Sequence, residues 1–529
     1  MAQNSVLIVN PPSPDGHIYI RDVCRWGRKS RERMIWPQTS LAYLAAMVPD
    51  DMSVHIIDAI AEEISWDDFA QAVRQRQPAF YVTYVTGTTF DIDARGIHVA
   101  KGVGATTIAI GTHPSAVPRN TLELIPELDV VIRHEPELTF REVLDRRREG
   151  RGLEGCLGTA IRRSDGQIVV HEDRPLIKHL DELPIPKQHL LPLDRYRAPF
   201  IGRRYTWVLT NRGCPYRCTY CFEGVIWGKS VRYRSAASIV RELEYLARHG
   251  VHKVVFLADL FTYDREGVLR LCDLIVGRGL RLRWACNSRV DTIDEELAIR
   301  MKRAGCWLIA FGIESGSQVV LNACRKDTTV EKARQTIAMI DRVGIRSWGY
   351  FIIGLPGETV ATIRETIDLA KSLPLDIALF HVAVPYAGTE FFFQAVANGW
   401  LTTTDWADFD MNDSAVVQYP ALSAEAILAG TKRAFREFYL RPRQVWRLLR
   451  MLAGGREFGM LFDIGRGFLS WLSGSEEDRV AALTRKSGNS PRPGTHPVES
   501  PRCNLSAGKP SHRAYLGLAG TDRTEARGG

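Results

Sequence analysis

The sequence has 529 residues, 45% hydrophobic and 25% charged, proportions that exclude a fibre or a wholly disordered chain and, at this length, predict two or three domains. No run of about 18 apolar residues long enough to span a bilayer is present, and the first residues lack the pattern of a secretory signal, so a soluble, cytoplasmic protein is predicted. The formal charge of +8 is largely a property of the tail: residues 485–529 carry eight Lys and Arg against three Asp and Glu, leaving +3 for residues 1–484 and little reason to expect nucleic acid.

Short apolar runs near the N-terminus read as strands: Val6 to Asn10, Val54 to Ala59, Phe80 to Val85, Thr107 to Gly111 and Asp129 to Arg133. Between them Ser40 to Val48, Trp66 to Gln75, Asp91 to Gly102 and Glu137 to Arg148 have helical periodicity. This alternation predicts an α/β, doubly wound, flavodoxin-like domain over residues 1–150, with ligands at the carboxyl ends of its strands. The loops to watch are Pro11 to His17, Thr86 to Thr89 and Thr112 to Pro118. Residues 151–200, with a hairpin pattern around Ser164-Asp165-Gly166 and a proline-rich stretch from Leu183 to Pro186, read as a connecting segment.

A second alternating series has strands at Thr206 to Thr210, Lys253 to Ala258, Leu282 to Asn287, Trp307 to Ile313, Ser347 to Ile353 and Ile377 to Pro385. Six strand-helix units without reversal predict a partial (βα)6 barrel over residues 201–396, with chemistry at the strand carboxyl ends. Residues 397–484 read as a helical C-terminal domain. Residues 485–529, with 5 Pro, 7 Gly and 5 Ser, are predicted to be disordered.

Ten cysteines in a long intracellular chain point to metal, catalysis or simple burial rather than a disulfide framework. Cys214, Cys218 and Cys221 crowd into eight residues on the loop after the first strand of the second series. Three thiolates there can hold one inorganic cluster and leave one of its irons open. A structural zinc site wants four ligands, and Cys24, Cys156 and Cys272 are distant in sequence. Cys272, Cys286, Cys306 and Cys324 read as small buried residues.

Cys-x3-Cys-x2-Cys resembles the signature of the radical S-adenosylmethionine superfamily, whose catalytic domain is a partial (βα)6 barrel. The resemblance implies a 4Fe-4S cluster on Cys214, Cys218 and Cys221, and S-adenosylmethionine bound against it. It places Tyr220 near the adenine and Asp259 where the family receives the cofactor's amino group. Arg289, in Asn287-Ser288-Arg289, and Glu314, in Gly312-Ile313-Glu314-Ser315-Gly316, stand where the family meets the carboxylate and ribose. Gly354, in Ile353-Gly354-Leu355-Pro356-Gly357-Glu358, stands in the loop bordering the adenine. The residue types suit the ligand, since Asp accepts from an ammonium, Arg pairs with a carboxylate and Glu accepts from hydroxyls. The family's reduced cluster gives one electron to the sulfonium, and the resulting 5'-deoxyadenosyl radical abstracts hydrogen from substrate.

The N-terminal strings Val6 to Pro12, Ser40 to Ala46, Ile57-Asp58-Ala59, Gly111-Thr112-His113-Pro114 and Arg133 to Leu138 resemble the cobalamin-binding subgroup of that superfamily. Thr112 replaces a usual second glycine and His134 departs from a usual Arg-Gly-Glu. The cobalt-ligand pattern Asp-x-His-x-x-Gly is matched only partly by Asp15-Gly16-His17, because Ile20 replaces its glycine.

Together with Asn398 to Leu401, Tyr419 to Ser423 and Arg436 to Pro442, these features resemble the group of anaerobic magnesium-protoporphyrin monomethyl ester cyclase and the hopanoid-associated radical proteins. That implies a hydrophobic small-molecule substrate and an electron donor such as flavodoxin or ferredoxin. Radical C-methylation is the favoured reaction, and oxidative cyclisation or rearrangement is the alternative. A non-catalytic cobalamin sensor or adaptor is a further reading. The basic, aromatic helices from Arg436 to Leu452 either lie on a membrane surface or pack on their own barrel.

Overall fold

The computed structural model describes residues 5–452 apart from 259 and 413. The expected tail and residues 453–484 of the expected helical C-terminal domain lie outside the described residues, as does Asp259.

The first sheet is built from β1 (Ser5–Asn10), β4 (Ser53–Asp58), β5 (Phe80–Tyr84), β6 (Thr106–Ile110), β7 (Val130–Ile132), β8 (Thr159–Arg162) and β9 (Ile168–Val170). A separate two-stranded ribbon of β2 (Tyr19–Asp22) and β3 (Arg25–Lys29) follows β1. The sheet order is β4-β1-β5-β6-β7-β8-β9. The first five are parallel, in the flavodoxin-like arrangement. Because helices cover both faces, β1 is apolar from Val6 to Val9 rather than alternating. Val6 and Ile8 enter the core on one side, and Leu7 and Val9 the core on the other. The hairpin expected in the connecting segment joins this sheet as β8 and β9, antiparallel to β7, and closes its edge.

The second sheet runs in sequence order through β10 (Tyr205–Leu209), β11 (Lys253–Leu257), β12 (Arg283–Ser288), β13 (Cys306–Glu314), β14 (Arg346–Ile353) and β15 (Ile377–Val382). All its pairings are parallel. Among the described residues β10 and β15 do not pair, so the barrel is open. Helices pack its outer face into the largest apolar core. Its inner face carries Trp207, Val255, Ala285, Leu308 and Trp348, and these pack with Ile20, Met34, Ile35 and Trp36 of the first domain. The segment carrying the ribbon is therefore one contact between first domain and barrel.

That ribbon is the main element the sequence reading missed. Its short strands are rich in Arg and Asp, so no apolar alternation marks them, yet Arg21 and Asp22 are fully buried. Arg21 pairs with Asp93 at 2.7 Å, and Asp22 accepts from the Trp36 indole at 2.9 Å. The helix Ala424–Tyr439 packs on β15 through Phe435 and Phe438 against Phe380. No described helix is long and apolar enough to cross a membrane.

Candidate active site at the mouth of the barrel

The cysteine loop leaves β10 and passes through Asn211 and Arg212 into Gly213, whose φ is +88° and where a Cβ would lie 2.2 Å from the Ser230 carbonyl oxygen. Only glycine turns the chain there. The loop is held by backbone bonds. Cys214 N donates to Gly228 O, Thr219 N to Cys324 O at 3.0 Å, and Phe391 N to Thr219 O at 2.9 Å. Cys214, Cys218 and Cys221 are all partly exposed. Burial, with Glu223 and Cys218 adding negative charge, pushes the Cys221 thiol well above its ordinary range. Among the described residues no three His, Cys, Asp or Glu side chains converge on a point as the ligands of a single ion would. Three thiols within eight residues of one braced loop suit a cluster of several irons.

Two connected cavities open beside this loop. One, of about 230 Å³, is bordered by Asn287, Arg289, Glu314 and Lys326 at the ends of β12 and β13. The other, of about 320 Å³, lies between the ribbon and the barrel's inner face and is lined by Trp207, Leu308, Trp348, Leu379 and Cys221. They share Cys24, Arg25, Glu223, Asn287, Ala310, Glu314 and Tyr350.

In the polar cavity Glu314, with φ of +68°, turns back so that its carboxylate accepts from Lys326 Nζ at 2.7 Å. Gly312 makes room, since a Cβ there would stand 2.5 Å from Glu314 Oε1 and 3.0 Å from Lys326 Nζ. Arg289 donates Nε and Nη2 to Asp291 and Nη2 also to the carbonyls of Lys326 and Asp327. Its guanidinium lies 3.6 Å from the centre of the Tyr216 ring. Only Nη1 remains to meet a ligand. Tyr220 packs against the barrel core, and its hydroxyl is buried without a hydrogen-bond partner.

Gly354 borders neither cavity, whereas its neighbour Leu355 lines the larger one. Its φ of +97° and the packing of Ile427 explain the glycine, and its carbonyl accepts from the Tyr419 hydroxyl at 2.7 Å. Cys214, Cys218, Cys221, Tyr220, Arg289 and Glu314 are thus assembled at one mouth. Sequence reasoning missed Lys326 and Trp26, single residues in a loop and in the unrecognised ribbon, whereas Arg25, in a basic cluster with Arg28, Lys29, Arg31 and Arg33, reads in sequence as a mixed charged loop in preference to a phosphate-binding patch.

At the carboxyl edge of the first sheet, His113 is fully buried with both ring nitrogens unpartnered. Its ring lies against Trp26, Phe90 and Trp406. Burial lowers its pKa to about 3, so the imidazole is neutral. The Thr88 hydroxyl and the Trp26 and Trp406 indole N–H groups are likewise buried without partners. This set of unspent donors and acceptors fits a large ligand fringed with amides and phosphate, such as cobalamin. Trp26 lies across the edge, so close that a Cβ on Gly87 would stand 2.1 Å from its Nε1. His17 lies outside this set, on the loop after β1, where it pairs with Asp15 at 3.1 Å.

Residues 208–370 match the family model of the radical SAM superfamily, and residues 33–144 that of the B12 binding domain. An uncharacterized methyltransferase of Pyrococcus horikoshii is 34% identical over 411 residues, covering 77% of this chain and 88% of that protein. The anaerobic magnesium-protoporphyrin IX monomethyl ester cyclase of Cereibacter sphaeroides is 26% identical, covering 86% of this chain and 78% of that one. Among solved structures, the radical S-adenosylmethionine methyltransferase TsrM of Kitasatospora setae, with cobalamin and a [4Fe-4S] cluster bound, has the same fold, with a TM-score of 0.65 at 17% identity over 92% of this chain and all of that one. With the thiol loop, the open barrel and the B12-type sheet in place, the chain belongs to the radical S-adenosylmethionine superfamily and, within it, to the enzymes that carry a B12 binding domain.

Proposed function

We propose that this enzyme C-methylates an apolar biosynthetic small molecule, using a 4Fe-4S cluster held by Cys214, Cys218 and Cys221. The observation that carries the reading is the apolar cavity between ribbon and barrel, which meets both the cysteine loop at Cys221 and the polar cavity at Asn287 and Glu314. When bound, the cluster and S-adenosylmethionine supply a 5'-deoxyadenosyl radical, and cobalamin supplies a methyl group.

The chain's own residues do the positioning. Glu314, fixed by Lys326, presents a carboxylate to hydroxyls, and Arg289 offers Nη1 to a carboxylate. Trp207, Trp348 and Leu308 exclude water from the reacting centre. His113 and Thr88 would border the cobalamin. Asp259, next to the cavity-lining Ala258, is assigned to the amino group of S-adenosylmethionine. Cys214 and Cys218 are partly exposed, which leaves the cluster loop open to an electron donor such as flavodoxin or ferredoxin.

The test is anaerobic reconstitution with S-adenosylmethionine labelled in its methyl group and extracts of the host's apolar metabolites. A product heavier by one labelled methyl is the expected result, and a product without label replaces methylation by oxidative cyclisation. That second reaction is favoured by the match to the cyclase of Cereibacter sphaeroides along 86% of this chain. Absence of both 5'-deoxyadenosine and a four-iron absorption band removes the enzyme reading altogether.

A further inference from the structure

The larger cavity is apolar over most of its wall, yet one cation bordering it makes no hydrogen-bonded ion pair among the described residues. Arg25, at the start of β3, borders both cavities where they join. Its Nε is buried without a hydrogen-bond partner. The other cations bordering these cavities are paired: Arg28 with Glu32 at 2.5 Å, Lys326 with Glu314 at 2.7 Å and Arg289 with Asp291 at 2.7 Å. Cys24, Glu223, Tyr350 and Asp22 act on Arg25 through space without a hydrogen bond to its side chain, and its guanidinium lies 5.3 Å from the centre of the Trp36 ring. Trp36 in turn stacks on Trp207 of the barrel wall at 4.2 Å.

A half-buried guanidinium whose fork makes no hydrogen-bonded ion pair has its donors available to an incoming anion. Its planar fork matches a carboxylate or phosphate, to which it donates two parallel hydrogen bonds. Resting on the reading of the cavity as a substrate site, we propose that Arg25 anchors an anionic group, a carboxylate or phosphate, on an otherwise apolar substrate. The substrate class is then an amphiphile whose apolar body lies along Trp207, Leu308 and Trp348, with its charged end at the junction with the polar cavity. Arg25 is a specificity residue supplied by the first domain to a pocket in the second. The shared chemistry is an anion, and its source is the substrate, as opposed to a cofactor's carboxylate or phosphate.

The experiment uses the full chain, reconstituted with its cluster and loaded with hydroxocobalamin and S-adenosylmethionine. Two fluorescent probes of similar apolar body are titrated: the anionic 8-anilinonaphthalene-1-sulfonate and the neutral N-phenyl-1-naphthylamine. The loaded enzyme is expected to bind the anion about tenfold more tightly, the scale of one charge-assisted contact. Arg25→Gln removes that preference while leaving the neutral probe within about twofold, and Arg25→Lys, which keeps charge but not the fork, falls between. Equal affinity for both probes overturns the proposal, as does an Arg25→Gln variant that loses both equally. Selectivity seen only in stripped protein and abolished by loading the cofactors assigns the anion to a cofactor and also overturns it. The titration needs no turnover, so its failure is distinct from failure to cleave S-adenosylmethionine.

Discussion

Arg212 and Glu137 form a buried ion pair that ties the cysteine loop to the first domain, with Arg212 Nη1 3.1 Å from Glu137 Oε2 and both side chains about 3% exposed. Arg212 also reaches Glu135 at 3.4 Å, and Glu135 takes a second guanidinium from Arg232 at 2.7 Å. Arg212 precedes Cys214 by two residues, and its guanidinium lies 4.3 Å from the centre of the Trp227 ring. The Arg133-His-Glu-Pro-Glu stretch, part of the resemblance to cobalamin-binding relatives, thus braces the loop that carries the thiols.

Removing one carboxylate from this network leaves a buried guanidinium short of charge. Glu137→Gln is expected to destabilise the protein by about 2 to 3 kcal/mol. Iron retained after anaerobic gel filtration should also fall, because the loop loses its brace. Glu142→Gln, which disrupts pairs with Arg146 and Arg174 that are more exposed, should leave iron content unchanged. Thermal unfolding and iron analysis of both variants check this.

Glu358 carries a pH dependence. Burial raises its pKa from 4.5 to about 8, against the opposing hydrogen bond from Gly354 N. Below about pH 4.5 the carboxyl is protonated in folded and unfolded chains alike. As pH rises towards 8 the unfolded chain releases the proton and the folded chain keeps it, so stability is lost across that window. Glu358→Gln, which can still accept from Gly354, should be more stable than the parent near pH 8 by a few kcal/mol and equal to it near pH 4.5. Melting temperatures at the two pH values decide it.

The strands of both sheets were legible in the sequence because buried parallel strands are short apolar runs between periodic helices, and those runs occur at β1 and at β10 to β14 within a residue or two, while β15 ends at Val382, three residues before the expected Pro385. The thiol loop was legible because its spacing is local. The ribbon at β2 and β3 was not, since its burial rests on pairs such as Arg21 with Asp93, between residues 72 positions apart. Lys326 escaped for the same reason, and Arg25 was legible only as one member of a basic cluster. A cation shows nothing in sequence of whether it makes a hydrogen-bonded ion pair, as Lys326 does, or none among the described residues, as for Arg25.

His113 offers a separation of stability from ligand binding. A buried imidazole with no partner is costlier than a hydrocarbon of similar volume. His113→Leu is expected to stabilise the cobalamin-free protein by about 1 to 2 kcal/mol. The gain should grow below about pH 6.5, where the unfolded chain takes up a proton that the folded chain, with its pKa near 3, refuses. If the ring nitrogens serve the cofactor, the same variant retains less hydroxocobalamin after desalting, read by its visible absorption. Full retention would remove His113 from the cofactor's surroundings.

Gly354 links the barrel to the C-terminal helix and so tests whether that helix shapes the cavity. A methyl at this position meets Ile427 Cγ2 at 2.9 Å and Cδ1 at 3.0 Å, on a backbone whose φ of +97° resists any side chain. Overpacking and left-handed strain each contribute about 1 to 3 kcal/mol, so Gly354→Ala should lower the melting temperature sharply. The Ile427 side chain of the helix Ala424–Tyr439 has to give way to admit the methyl, and Leu355, which lines the larger cavity, is the next residue in the chain. Weaker binding of the neutral naphthylamine probe should accompany the lost stability. Gly102→Ala, at the end of the helix Phe90–Gly102 with nothing within 4 Å of the new methyl, should change neither. A Gly354→Ala enzyme as stable as the parent, with unchanged probe affinity, would show that the C-terminal helix yields freely and does not set the cavity wall.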